Sequence, residues 1–149
     1  MEIQTQEGKD VEGMAKLTPY IFSEDARSQA AFYTEALGGE VLSVMTFEDG
    51  PDQNPEYKDK VMHLSFKAAG ILFYMSDSFK PIERGNGLAL TLEFSTEEEA
   101  YAAFDKLAEG GKVIDALKKQ FWGAHFGQLE DKYGMSWQVV TEMEMPEPS

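Results

Sequence analysis

The chain has two histidines, His63 and His125, and no cysteine, so imidazoles and carboxylates are its means of handling protons or metal ions near neutral pH. His63 sits in the run Val61-Met62-His63-Leu64-Ser65-Phe66. Period-two alternation puts Met62, Leu64 and Phe66 on one face and His63, with Val61 and Ser65, on the other. If a helix covers the apolar face, His63 looks outward as an acid/base group or a lone ligand. The plainer role is a histidine satisfied by hydrogen bonds. His125 falls between Gly123 and Gly127 by alternation, which leaves room beside it for the same chemistry. Glu93 lies opposite Leu92 and Phe94 as a strand-end carboxylate, with a solvated charge as its plainer role. Tyr74 offers a hydroxyl, and Trp122 and Trp137 offer faces for a planar ligand, against ordinary packing for all three.

The elements that must position these groups repeat within the chain. Phe22–Val41 set against Phe94–Val113, without gaps at an offset of 72, matches at nine of twenty positions. The shared residues include the Phe-Ser at the start, Ala-Ala-Phe in the middle and Gly-Gly-x-Val at the end. Each block opens on an alternating strand, Leu17–Phe22 or Leu88–Phe94, and continues as a helix closed by Gly-Gly. Ser95 with Glu98 reads as a capping box, and Ala100, Ala103, Phe104, Leu107 and Ala108 form the stripe that faces a sheet. A further strand opens at Val41 or Val113. Then come two hairpins, Val61–Phe66 with Ile71–Met75 around Ala69-Gly70, and Ala124–Leu129 with Ser136–Val140 around Asp131–Gly134. His63 and His125 are expected at corresponding places. The fold class is α+β, with residues 17–75 and 88–141 as two β-α-β-β-β modules, 76–87 as connector, Glu48–Lys60 as a long loop, and 1–14 and 142–149 as loose ends of one domain.

Composition narrows the partners. A net charge of −14 repels phosphate backbones and anionic lipid, so neither nucleic acid nor membrane is expected. Lys118-Lys119 stands alone as an adjacent basic pair, and no apolar run approaches a membrane span. Without a signal-like start, the reading is cytoplasmic. Gly110-Gly111-Lys112 lacks the rest of a phosphate loop, Asp49 and Asp52 lack calcium-loop spacing, and no glycine-rich strand–turn–helix for S-adenosylmethionine is present.

Pro19-Tyr20-Ile21-Phe22, Phe32-Tyr33, Gly38-Gly39, Val61-Met62-His63, Gly110–Val113 and the block Phe121-Trp122-Gly123 through Asp131-Lys132-Tyr133-Gly134 to Trp137 resemble the vicinal-oxygen-chelate superfamily. This superfamily holds glyoxalase I, extradiol dioxygenases and bleomycin-resistance proteins, and the likeness is to its PhnB-like branch, over about Leu17–Val140. The resemblance implies a cleft formed by curled mixed sheets with helices on the outside, and a homodimer. It places the family's metal ligands at Thr18 (or Leu17 or Pro19), at Phe73 or Tyr74, between Leu88 and Leu90, and at Trp137 or Gln138. These side chains are poor donors for a divalent ion, so no metal is expected there and no cofactor is expected. Gln138 at the fourth position is read instead as orienting a ligand by hydrogen bond.

The leading expectation is therefore a small-molecule-binding protein without a tightly bound metal. Against it stand a metal-dependent lyase, isomerase or dioxygenase rearranged around His63, His125 and Glu93, and a non-catalytic structural or regulatory dimer module.

Overall fold

The computed structural model describes residues 13–51 and 53–142. Most of the expected loose ends, and Asp52, lie outside the described residues. Eight strands and two helices follow one plan twice: β1 (Tyr20–Ser23), α1 (Ala26–Leu37), β2 (Gly39–Thr46), β3 (Val61–Ala68) and β4 (Ile71–Asp77), then β5 (Leu90–Phe94), α2 (Glu97–Ala108), β6 (Lys112–Lys119), β7 (His125–Glu130) and β8 (Ser136–Thr141). The sheets run β1-β4-β3-β2 and β5-β8-β7-β6, with β1 parallel to β4, β5 parallel to β8, and every other pairing antiparallel. The connector is Ser78–Ala89, because β4 extends to Asp77 and β5 starts at Leu90. The Glu48–Lys60 stretch opens with a 3-10 turn at Phe47–Asp49, and Phe47, Tyr57 and Phe79 cluster their rings over it.

Alternation along each strand gives each sheet one apolar face, which a helix covers. Helix α1 buries Ala26, Gln29, Ala30 and Tyr33, and α2 buries Ala100, Ala103, Phe104 and Leu107. Among the described residues no helix covers the opposite face of either sheet. The two covered faces merge into one core: Trp137 of β8 lies 5.3 Å from the Tyr33 ring and 6.3 Å from that of Phe73.

The repeat is real, but its register slips by one residue. The helix caps are Asp25, whose side chain accepts from Ser28 N, and Thr96, which accepts from Glu99 N; they stand 71 apart. Thr96, not Ser95, therefore caps α2. The glycine pairs stand 72 apart: Gly38 and Gly110 take φ of 80° and 77°, and a Cβ on Gly39 or Gly111 would collide with a carbonyl of the neighbouring strand. Glu109, between α2 and Gly110, is the inserted residue. The slip matters because one residue reverses the face of a strand. Phe22 is exposed on the uncovered face, whereas Phe94 packs against the core.

The same parity separates the histidines. Leu64 pairs with Met75, and Gly127 pairs with the equivalent core residue Val139. The residue corresponding to His63 is thus Phe126, and the expected equivalence of His63 with His125 fails. Gly127 lets α2 sit close, since a Cβ there would stand 2.8 Å from Phe104 Cε1 and 2.7 Å from Leu117 Cα.

Candidate functional site

The uncovered face of the first sheet gathers aromatic side chains. Strand β1 contributes Tyr20 and Phe22, β3 contributes His63 and β4 contributes Tyr74, each by simple alternation against the core residues Ile21, Leu64 and Met75. The His63 ring lies 5.0 Å from Tyr74 and 6.0 Å from Tyr20, and Tyr20 lies 5.1 Å from Phe22. Two hydroxyls, Ser43 and Ser65, pair at 2.8 Å further along this sheet. The surface offers flat apolar area with an imidazole and two phenols at its edge, suited to a planar ligand with few polar groups.

Tyr20 and Phe22 also wall a groove between the modules. Its volume is about 440 Å³, within the range of small-molecule sites. Its floor and far wall come from the connector and the second module, through Ile82, Leu88, Leu90 and Met135. Among the described residues of its lining, Arg84 of the connector is the one cation and Glu83 the one anion.

Behind the groove runs a buried polar chain that joins the modules. Arg84 Nε donates to the Tyr133 carbonyl at 2.9 Å, and its NH2 reaches Gln29 Oε1 at 3.5 Å. Gln29 Nε2 donates to Tyr33 Oη at 2.8 Å, and the Tyr33 hydroxyl donates to Asp131 Oδ2. Asp131 also accepts from Trp137 Nε1 at 2.8 Å, Tyr133 N at 2.8 Å and Met135 N at 3.0 Å. Burial, then the charge and hydrogen bond of Asp131, drives the Tyr33 hydroxyl far above the ordinary phenol value. Tyr133 is raised as well, by burial first and then by Asp25 and Asp131.

Of the residues singled out from sequence, only His63 and Tyr74 come together. His125 faces α2, with Nε2 3.3 Å from Glu97 Oε2 and its ring 5.8 Å from Tyr101. Glu93 is exposed on the opposite face of that sheet. Gln138, also on the uncovered face, accepts from Thr91 Oγ1 at 2.9 Å. Trp122 sits in the β6–β7 loop, half exposed, its ring 5.0 Å from that of Phe121. His63, His125 and Glu93 therefore do not assemble the rearranged metal site, and among the described residues no three His, Asp or Glu side chains could hold an ion. At the positions the resemblance assigns to ligands, Phe73 and Trp137 are core, leaving a threonine, a phenol and an amide as donors. Such a set does not fit a divalent metal.

Sequence reasoning missed Arg84, Gln29, Tyr33 and Asp131 as a set, and Tyr20 and Phe22 as site residues. The available signals were an arginine within a proline-containing connector and an aspartate opening the last turn.

The described fold and groove can be set beside known proteins. The family model described as 3-demethylubiquinone-9 3-methyltransferase matches residues 15–140. A solved protein, PA1353 of Pseudomonas aeruginosa, is 32% identical with a TM-score of 0.75, covering 88% of this chain and 100% of its own. A PhnB protein of Bacillus cereus is 29% identical with a TM-score of 0.71, covering 86% and 100%. A glyoxalase/bleomycin resistance protein/dioxygenase from Nocardioides shares the fold alone, at 18% identity and a TM-score of 0.60 over 93% of this chain and 91% of its own.

Proposed function

Because the chain belongs to the family of that 3-demethylubiquinone-9 3-methyltransferase model, in the PhnB-like branch of the vicinal-oxygen-chelate superfamily, we propose that it binds a small planar molecule between its modules without a tightly bound metal. The observation that carries this reading is the groove of about 440 Å³, which opens beside the Tyr20, Phe22, His63 and Tyr74 face. No side chain among the described residues fills the groove. His63 and Tyr74 would supply polar contacts to a ligand lying across the sheet, and Glu93 and Gln138 occupy the matching face of the other sheet. The methyltransferase of the model's description is not carried over, since neither half has the glycine-rich strand–turn–helix that S-adenosylmethionine binding would use.

The test is a ligand-observed NMR screen of flat small molecules against the wild type and Ile82→Trp, whose indole fills the groove. Compounds that bind the wild type and lose the variant, at unchanged melting temperature, support the reading. A screen without hits, or hits indifferent to the substitution, refutes it.

A homodimer belongs to the same proposal. Strand β2 is an edge strand with Val41, Leu42, Val44 and Met45 all exposed, and Leu88 and Phe121 add further apolar surface. Unprotected edges and apolar patches of this kind favour association. Sedimentation showing only monomer at micromolar concentration would remove it. The proposed setting is the cytoplasm, consistent with a chain free of cysteine.

A further inference from the structure

Resting on the reading of the groove as a ligand site, we infer that its ligand is an acid: a flat, apolar monocarboxylate whose anion is received by Arg84. Arg84 is half-buried and lines the groove. Its hydrogen-bond partners among the described residues, the Tyr133 carbonyl and Gln29 Oε1, are both neutral oxygens. Among the described residues no carboxylate lies within ion-pair distance of it.

Asp131, the carboxylate at the far end of the same chain of contacts, is committed to four donors, the Tyr33 hydroxyl, Trp137 Nε1 and the backbone N–H groups of Tyr133 and Met135. A neutral donor would serve the Tyr133 carbonyl equally well; within the fold the Arg84 charge acts only at a distance, on the Tyr33 hydroxyl, and pairs directly with no carboxylate among the described residues. A partly desolvated charge without a counter-charge is costly, and a carboxylate relieves that cost best.

The geometry suits one. The Nε bond to the Tyr133 carbonyl and the NH2 contact to Gln29 Oε1 anchor one edge of the guanidinium. NH1 has no protein partner among the described residues, and NH2 holds only a long contact at 3.5 Å. A fixed fork with spare donors is the arrangement that binds carboxylate at two points. The remaining walls, Tyr20, Phe22, Ile82, Leu88 and Leu90, take the apolar body. Glu83, the other charge of the lining, is exposed to solvent, which screens its repulsion of an anion.

The experiment compares 2-naphthoate with its neutral isostere 2-naphthamide, following the methyl signals of Ile82, Leu88 and Leu90 by two-dimensional NMR. The wild type is expected to prefer the acid by about 10- to 100-fold, the range of a hydrogen-bonded charge. Arg84→Gln should abolish the preference, losing far more affinity for naphthoate than for naphthamide, and Arg84→Lys, which keeps the charge but not the two-point fork, should retain only part of it. If Arg84→Gln does not fold, salt decides: high NaCl should weaken naphthoate and spare naphthamide in the wild type. Equal affinity for both probes, a preference that survives Arg84→Gln, or a preference indifferent to salt overturns the inference and leaves the groove reading standing. If neither probe moves the groove methyls, the groove reading falls and takes the inference with it.

Discussion

Replacing Tyr33 by Phe removes one oxygen from the buried chain that holds the two modules together. The ring keeps its packing against Trp137 and Phe66, so no cavity forms beyond the hydroxyl itself. Two terms then add. Asp131 loses its phenol donor but keeps Trp137 and two backbone N–H groups, and a hydrogen bond to a charged group contributes ~1.5–3 kcal/mol. Gln29, fully buried, loses the acceptor for its amide, and a buried unsatisfied donor costs ~1–3 kcal/mol. Allowing for relaxation, the expected loss is about 2–4 kcal/mol, or roughly 4–16 °C in melting temperature for a chain of this size. Urea unfolding at neutral pH measures it directly.

The variant should also alter the alkaline limb of stability. The hydroxyl's folded value is raised, so its contribution is fully present below the ordinary tyrosine value of ~10 and declines as pH rises above it, by up to ~1.4 kcal/mol per unit. Tyr33→Phe lacks that proton, so its stability should fall less steeply than the wild type's above pH ~10. A loss below ~0.5 kcal/mol at neutral pH, the level of ordinary surface changes, or identical alkaline slopes, would refute the reasoning.

Three further outcomes follow from the geometry. Gly127→Ala drives a Cβ to within 2.8 Å of the Phe104 ring and should cost about 1–3 kcal/mol by overpacking, read from the denaturation midpoint. Thr96→Ala removes the true cap of α2 and should cost ~1 kcal/mol, whereas Ser95→Ala should stay within ~0.5 kcal/mol; the reverse order would restore the capping assignment made from sequence. Ala69→Asn should stabilise the β3–β4 hairpin by ~0.5 kcal/mol in thermal melts, because Ala69 has φ of 54° beside Gly70 at 77°, a pair of left-handed positions that Asn-Gly favours.

The sequence alone determined the modules. Period-two strands, the helical stripe on α2 and two Gly-Gly turns are local features, each dictated by steric preference and burial pattern within a few residues, and they place His63 and Tyr74 correctly on the uncovered face. The gap-free repeat misled by one residue because helix composition matched at 72 while the caps matched at 71, and in a strand that single step moves a side chain through the sheet. That is why Phe94 packs on the covered side while Phe22, its match in the gap-free repeat, does not; His125 lies outside that repeat, and its mismatch with His63 follows from the strand pairings of Leu64 with Met75 and Gly127 with Val139. The tertiary structure alone decided the groove and the chain behind it. Tyr20, Arg84 and Met135 are distant in sequence, and so are Gln29 and Asp131; nothing local brings them together. They meet because two amphipathic modules bury their covered faces in one core, which brings their β1 and β5 edges to opposite walls of one groove.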